Sequence, residues 1–376
     1  MKKLLLTLFL LISAFSFSQT SDFDKKWILI DSLEINGQVE TADKVVSEII
    51  KSAFRKKDYP QLIKAKIYHY KFYQINHENS NQYILQDLNQ LISRIPGPYQ
   101  NLALSYKAGF LYQYFQDNRW TIKQRQEISN PDENIETWSI NTLQDSIKSS
   151  YNKSLENEKK LISLPVGDIA ELLDETPLNR KYRPTLFDLL AQRALEYYSN
   201  SGNFGEVKPD QEYPFDNQQL YATTQSFVEL KFPAEVLGPP EVKALKLYQK
   251  LETLHSEDKN PEAKVFAQLN RLDYVNTYYS ENVKWEHYTT ALDKLSEEYK
   301  TETINALILY TLAESFYNRA GEIDENGKLL HPDFLIKAFT LSEEVSIKYP
   351  NTDTAQQALR LIRSIKQVQL DAKIPT

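Results

Sequence analysis

Most of the sequence repeats apolar residues at the spacing of one face of an α-helix, and this periodicity most constrains what the chain can fold into. Ala42, Val45, Val46, Ile49 and Ala53 follow the i, i+3, i+4, i+7 pattern of an amphipathic helix. Similar patterns predict further helices at 23–35, 59–75, 80–95, 99–116, 140–161 and 184–198. We therefore predict an all-α protein of stacked helical hairpins, of the tetratricopeptide (TPR)-like or α-solenoid kind.

Glycine, proline and threonine mark the predicted helix ends. Gly37 follows the first helix, where a glycine readily adopts the conformation that closes a helix. Pro96 and Pro98 end the fourth helix, because proline cannot continue the hydrogen-bond ladder. Thr41 is placed to cap the start of the second helix. The short segments between these ends predict helical hairpins.

Stability must come from burial, because the sequence contains no cysteine and therefore no disulfide. It has 24 Tyr, 17 Phe and 4 Trp against 9 Gly, so large side chains are available for a core. Tyrosine combines an apolar ring with a polar tip, which suits half-buried positions between helices. A chain of about 300 residues buries around three quarters of its unfolded surface, which is enough without cross-links.

Residues 200–240 interrupt the helical pattern and predict a connection between two lobes. This stretch contains three glycines and five prolines, too many breakers for one helix. We assign a helical N-terminal lobe to 19–199 and a TPR-like C-terminal lobe to 241–376. The run 227–232 alternates in polarity and predicts a short strand. The aromatic residues of the connection form a candidate interaction segment: Tyr213, Phe215, Tyr221, Phe227 and Phe232.

Two helices of the C-terminal lobe have well-defined apolar faces. One face is predicted from residues in alternating steps of three and four: Trp285, Tyr288, Leu292, Leu295 and Tyr299. The inner face of the last helix is predicted to carry Ala355, Ala358, Leu359 and Ile362. Small residues on such a face allow a neighbouring helix to approach closely, as stacked hairpins require.

A weak internal repeat supports this interpretation. The tetrapeptide Leu-Ser-Glu-Glu occurs at 295–298 and again at 341–344, near helix ends in both cases. The run Lys-Tyr-Pro-Asn-Thr at 348–352 resembles the turn that joins helices in exported TPR-like proteins. Four repeated residues can also arise by coincidence, and no clean 34-residue register is present.

Residues 1–18 are typical of a secretory signal peptide. Two lysines precede the apolar run 4–12, and the small residues Ser16 and Ser18 precede the predicted cleavage before Gln19. The run is shorter than the roughly 20 residues that span a bilayer, so we expect cleavage and no stable membrane insertion afterwards. A lipoprotein is excluded because lipid attachment requires a cysteine. The predicted location is the periplasm or the exterior of the cell.

The net charge and the residue types of the sequence give little indication of a nucleic-acid-binding, metal-binding or catalytic site. The formal net charge is −7, which excludes the basic surface of a nucleic-acid-binding protein. None of the five histidines pairs at a zinc-site spacing. We predict no catalytic residue, no metal site and no cofactor. The strongest contrary signal is a group of carboxylates that could serve an α/α-barrel glycosidase: Asp168, Glu171, Asp174 and Glu175.

Two stretches resemble a known family. The first runs from Trp27 to Lys71 and ends in QLIKAKIYHYK, and the second is KYRPTLFDLLAQRALEYY at 181–198. Both resemble the helical N-terminal region of the alpha-2-macroglobulin-like proteins of the Bacteroidetes. The resemblance implies a family of protease traps, whose inhibitory β-domains, bait segment and thioester have no counterpart in this sequence. It implies partners of the protein class: downstream macroglobulin-like domains, or a protease or other periplasmic protein.

The leading hypothesis is an exported, non-catalytic helical scaffold, the N-terminal part of such a protease inhibitor, which docks further domains or a partner. The alternative is a free-standing periplasmic TPR-like protein that binds a peptide or glycan along the 200–240 segment. The glycosidase is a weaker alternative. The identity of the partner, the arrangement of the lobes and the oligomeric state do not follow from the sequence.

Overall fold

The structure is a computed structural model that describes residues 22–127, 133–172, 179–200, 215–232, 240–279 and 283–371. Within these residues the protein is all-helical and contains no strand, which confirms the predicted fold class. The first nine helices are α1 Asp22–Ile35, α2 Val39–Lys56, α3 Tyr59–Asn76, α4 Ser80–Arg94, α5 Tyr99–Asp117, α6 Arg119–Lys123, α7 Ile140–Ser154, α8 Glu158–Ile162 and α9 Asn179–Tyr182. The others are α10 Leu186–Asn200, α11 Thr224–Val228, α12 Pro240–Leu254, α13 Glu262–Tyr278, α14 Lys284–Glu298, α15 Asn305–Arg319, α16 Phe334–Lys348 and α17 Asp353–Asp371.

Three local predictions were wrong. The helix expected over 140–161 is split into α7 and α8, and Asn157 between them has φ of +58°. The strand expected over 227–232 is wrong because α11 ends only at Val228. Thr41 does not cap α2, which begins at Val39 after Gln38. The predicted signal peptide, residues 1–18, lies outside the described residues.

The described chain forms two compact units. The first contains the residues up to Ala103 together with 133–136 and 171–172, and the second contains the rest. The described part of the predicted connection, residues 215–232, lies inside the second unit, where α10 packs against α12. Proline and glycine mark where a helix stops, but contacts between helices on either side of such a segment decide where a compact unit ends.

The first unit is a set of antiparallel helices with tight connections. Gly37 has φ of +71° between α1 and α2, as predicted for a helix stop. The two residues between α2 and α3 suffice because Asp58 accepts a hydrogen bond from the Gln61 backbone and caps α3. Trp27 is buried on α1, and its indole N–H donates to the Gln61 side chain at 2.8 Å. This bond satisfies the one polar group of a large core residue.

The last three helices of the second unit pack through small residues. Ala306 and Leu309 of α15 contact Val345 of α16 and Ala358 of α17 in one buried cluster. A second cluster joins Ala313, Ala338, Leu361 and Ile365. Ala355 and Ile362 are also buried as predicted, but Leu359 is 37% exposed. Its place is taken by Leu361, because the buried stripe of α17 runs through 358, 361, 362 and 365 at helical spacing.

A buried histidine links α10 to the end of α12. The two ring nitrogens of His255 lie 2.8 Å from Asp188 Oδ1 and 2.6 Å from Asp258 Oδ2. Burial alone would lower the pKa of His255, but the hydrogen bonds and charges of both carboxylates outweigh it and raise the pKa. Asp188 also accepts hydrogen bonds from the backbone and hydroxyl of Thr185, so the same carboxylate caps α10.

None of the described helices has the combination of length and apolar character that crossing a membrane requires.

We expect His255→Gln to lower the free energy of unfolding by about 3 kcal/mol at pH 5, because it leaves the buried Asp188 without its charged partner. The folded state binds the imidazole proton more tightly than the unfolded state. The difference in the free energy of unfolding between wild type and His255→Gln is therefore largest below the pKa of the histidine in the unfolded chain. It is lost as the pH rises through the higher pKa of His255 in the folded protein. Urea unfolding followed by circular dichroism from pH 5 to pH 8 measures this. The exposed His77→Gln serves as the control, and parallel pH profiles for wild type and His255→Gln would contradict the account.

Candidate functional site

The predicted interaction segment mostly faces inward. Phe215 is buried against Tyr274 and Tyr278, with ring centroids 5.7 and 5.6 Å away. Phe227 is fully buried, and Phe232 lies partly buried with its ring 6.4 Å from that of Phe227. Tyr213 lies outside the described residues. Tyr221 lines a cleft that is described below, and an interaction role for the segment stays a prediction.

The segment is held down by a buried ion pair. Arg271 of α13 is 1% exposed and donates from Nε to Glu252 of α12 at 2.5 Å, and Glu252 is itself fully buried. The other guanidinium nitrogens donate to the carbonyls of Leu220 and Ala222. The guanidinium also lies over the ring of Phe227, 4.2 Å from its centroid. The side chain of Arg271 therefore connects α12 and α13 to residues 220, 222 and 227.

Two further polar groups complete this network. Thr224 donates to the second carboxylate oxygen of Glu252 at 2.6 Å, and Gln268 donates to the Thr224 hydroxyl at 2.8 Å. The pattern of the sequence did not reveal the network, because Arg271 and Glu252 look like ordinary surface charges on amphipathic helices. One signal of their burial was present in the sequence, because Glu252 directly follows Leu251 and Arg271 directly precedes Leu272.

A first cleft, which we call the Gln268 cleft, opens between the 218–226 stretch, α13 and α14. Its volume is about 380 Å³. Its walls carry amides, hydroxyls and a few charges: Gln218, Gln219, Tyr221, Thr223, Ser226, Gln268, Arg271, His287, Thr290, Lys294 and Glu298, with Ala222, Leu272, Ala291 and Leu295. Two of these residues are more than nine-tenths buried and keep a polar atom without a hydrogen-bond partner among the described residues, the Oε1 atom of Gln268 and the hydroxyl of Tyr221.

A second cleft, which we call the Asp273 cleft, lies between α13, α14 and α15 and has a volume of about 490 Å³. Its lining residues are Asp273, Asn276, Thr277, Lys284, Trp285, Tyr288, Thr311, Glu314, Ser315, Asn318, Arg319 and Glu322. Both volumes fall in the range of roughly 300 to 1,000 Å³ that is typical of ligand sites. Both clefts are built from α13 and α14, which contribute different residues to each.

The carboxyl of Asp273 is perturbed by the surrounding protein. Its side chain is open to solvent in the cleft, but the dense protein around it disfavours the charged form and raises the pKa of Asp273 to about 6. The hydrogen bond from the Tyr288 hydroxyl acts against this rise, and the negative charge of Glu314 adds to it. Tyr288 is buried, and its phenol pKa is raised by that burial and by the Asp273 charge.

Trp285 and Arg319 form one wall of the Asp273 cleft. The guanidinium of Arg319 lies over the indole, 4.5 Å from its centroid, and makes two 2.8 Å hydrogen bonds to Glu322. Phe316 and Phe334 contact the indole from α15 and α16, with ring centroids 5.6 and 5.7 Å away. Trp285 is therefore held by its neighbours, and one of its faces is occupied.

The carboxylates considered for a glycosidase are only partly described. Asp168 is exposed in the short 3₁₀ helix Val166–Leu172. Asp174, Glu175 and the side chain of Glu171 lie outside the described part of the chain. The glycosidase hypothesis therefore stays a prediction. Among the described residues no three metal-ligating side chains come together.

Comparison of the chain with protein-family models, with curated proteins and with solved structures found no match. The macroglobulin resemblance therefore rests on the quoted residues alone, and the functional argument rests on the geometry of the two clefts.

We expect Arg271→Met to lower the free energy of unfolding by about 3 to 5 kcal/mol, because it leaves the Glu252 carboxylate buried and unpaired. Replacing both partners, as in Arg271→Met with Glu252→Leu, costs less, because no charge then remains in the core. Chemical unfolding of the single and double variants measures the difference. The exposed Arg363→Met is the matched control, and an Arg271→Met protein as stable as this control would refute the role of the pair.

Proposed function

We propose that the chain is a non-catalytic helical scaffold that binds an extended polypeptide segment of a partner in the Gln268 cleft. The observation that carries the proposal is the pair of buried groups on the cleft wall, Gln268 Oε1 and the Tyr221 hydroxyl, which have no hydrogen-bond partner among the described residues. Such groups destabilise the unliganded protein by about 1 to 3 kcal/mol each, so a ligand that hydrogen-bonds to them gains affinity.

The other lining residues favour a polypeptide. Gln218 and Gln219 add two amides at the mouth of the cleft, and each amide both donates and accepts hydrogen bonds. A peptide main chain presents the same alternation of N–H and C=O groups. Leu272, Ala291 and Leu295 provide an apolar strip between the polar groups, which suits the side chains of a bound segment.

The place of action and the partner are parts of the same proposal. The signal-like pattern of residues 1–18 supports action in the periplasm or outside the cell. The resemblance of residues 27–71 and 181–198 to the macroglobulin-like proteins supports a partner that is a protein, either a macroglobulin-like domain or a protease. The same resemblance assigns any inhibition to parts other than these helices.

A glycan is the main alternative ligand for the Gln268 cleft. Amides and hydroxyls bind sugars as well as peptides, and Tyr221 lies at the cleft wall. However, the rings of Tyr279 and His287 contact that of Tyr221 at 5.2 and 5.8 Å, which limits the open face on which a sugar could stack.

The test is peptide selection on the full chain, with a linear phage-displayed library, followed by calorimetry with the synthesised peptides. Thr290 is exposed on the cleft wall, and Thr290→Trp fills the cleft, so we expect it to weaken binding at least tenfold. Tyr221→Phe removes one hydroxyl, and we expect about a fivefold loss, the worth of one hydrogen bond.

The matched control is Thr340→Trp, an exposed threonine on α16 that lies outside both clefts. Peptides that bind wild type and Thr290→Trp equally would refute the proposal. Oligosaccharides that bind wild type but not Thr290→Trp, in the absence of any selected peptide, would replace it with the glycan-binding alternative.

A further inference from the structure

The Asp273 cleft has a different chemistry from the Gln268 cleft, and what it binds goes beyond the proposed function. Two accessible carboxylates face it from different helices, Asp273 from α13 and Glu314 from α15. The negative charge of Glu314 raises the pKa of Asp273, so the two groups are close enough for Glu314 to disfavour the ionised form of Asp273. A cation between them would relieve this repulsion.

The cleft has a third acceptor that lacks a donor. Asn276 Oδ1 is buried and has no hydrogen-bond partner among the described residues, and Asn276 lines the same cleft as the two carboxylates. Tyr288 donates its only hydroxyl proton to Asp273, which holds that carboxylate in place. The site therefore combines the carboxylate of Asp273, the carboxylate of Glu314, which accepts a hydrogen bond from Tyr310 at 3.3 Å, the unpartnered amide oxygen of Asn276, and enough volume for an aliphatic side chain.

The positive groups of the cleft do not neutralise these acceptors. Arg319 is engaged by Glu322 and by the indole of Trp285. Lys284 lines the cleft but forms no ion pair with either Asp273 or Glu314. Neither carboxylate is therefore held in an ion pair with Arg319 or Lys284.

Other ligand classes fit less well. An anion would be repelled by Asp273 and Glu314. A stacked sugar needs an open aromatic face, whereas Trp285 is covered on one face by Arg319 and contacted by Phe316 and Phe334. A divalent metal needs several ligating side chains together, and the described residues contain no group of three His, Cys, Asp or Glu that could hold one.

We propose that the Asp273 cleft binds an alkylammonium group, such as the side chain of a lysine, between the carboxylates of Asp273 and Glu314. An ammonium has three N–H donors and no acceptor, which matches a site lined by two carboxylates and an amide oxygen. Charge-assisted hydrogen bonds of this kind are about twice as strong as neutral ones.

The titration of Asp273 predicts how this binding depends on pH. With a pKa of about 6, Asp273 is ionised at pH 7 and largely protonated at pH 5, so the affinity for a cation falls on acidification. The charged and titratable groups that line the cleft around Asp273 are Lys284 and Tyr288 on α14, Glu314 and Arg319 on α15, and Glu322.

The experiment is calorimetric titration of the full chain at pH 7 with the blocked tripeptide acetyl-Gly-Lys-Gly-amide. We expect Asp273→Asn and Glu314→Gln each to weaken binding at least tenfold, and the peptide with an acetylated lysine side chain not to bind. Both substitutions keep the size of the side chain, and circular dichroism verifies that the variants fold. The exposed Glu325→Gln outside the cleft is the matched control.

Two further arms identify the source of the ammonium and separate this proposal from the previous one. Spermidine that binds more tightly than the tripeptide would assign the cleft to free polyamines, and the reverse order to lysine side chains. Thr290→Trp in the Gln268 cleft is expected to leave tripeptide binding unchanged, so either proposal can fail alone.

Three outcomes would overturn the assignment. These are equal binding of the acetylated and free lysine peptides, unchanged affinity in both Asp273→Asn and Glu314→Gln, and saturable binding of calcium chloride without binding of either amine. Wild-type affinity that does not fall between pH 7 and pH 5 would also contradict the role given to Asp273.

Discussion

The second unit depends on one buried ion pair, between Arg271 of α13 and Glu252 of α12. Two charges in a dry core are tolerable only when each is paired and hydrogen-bonded, and here the surplus donors of the guanidinium reach the carbonyls of residues 220 and 222. Arginine suits this position because its planar fork serves several acceptors at once, whereas a lysine would present a single point charge. The pair thereby fixes a stretch of chain that consists of two short helical segments, the 3₁₀ helix Gln218–Tyr221 and α11.

Both clefts follow from the packing of α13 and α14. On one side, the 218–226 stretch held by Arg271 provides the outer wall of the Gln268 cleft. On the other side, α15 faces α13 and encloses the Asp273 cleft. The exposed polar side chains in these clefts, such as Thr290, Asp273 and Glu314, occupy positions that an amphipathic pattern assigns to solvent, so they do not interrupt the apolar stripes that hold the stack. His255 and Asp188 provide a comparable polar link deeper in the unit, between α10 and α12.

The helices were predictable from the sequence because helical periodicity is a local property. Gly37, Pro96 and the apolar stripe of α2 all act within a few residues of their own positions. The strand predicted at 227–232 was wrong, because an alternating run of six residues is also compatible with the end of a short buried helix. The partnership of Arg271 with Glu252, and of Asp273 with Glu314, joins residues on different helices. A single sequence does not reveal which helices become neighbours. For the same reason, the inward packing of the aromatic residues 215, 221 and 227 did not follow from their spacing.

The central claim is that Arg271 holds the 218–228 stretch against α12 and α13. Amide hydrogen exchange of the full chain, compared between wild type and Arg271→Met under conditions in which both remain folded, tests it most directly. The account predicts faster exchange of the backbone amides of 220–228 in the variant, with α2 and α3 unchanged. Equal protection of residues 220–228 in the two proteins would contradict it.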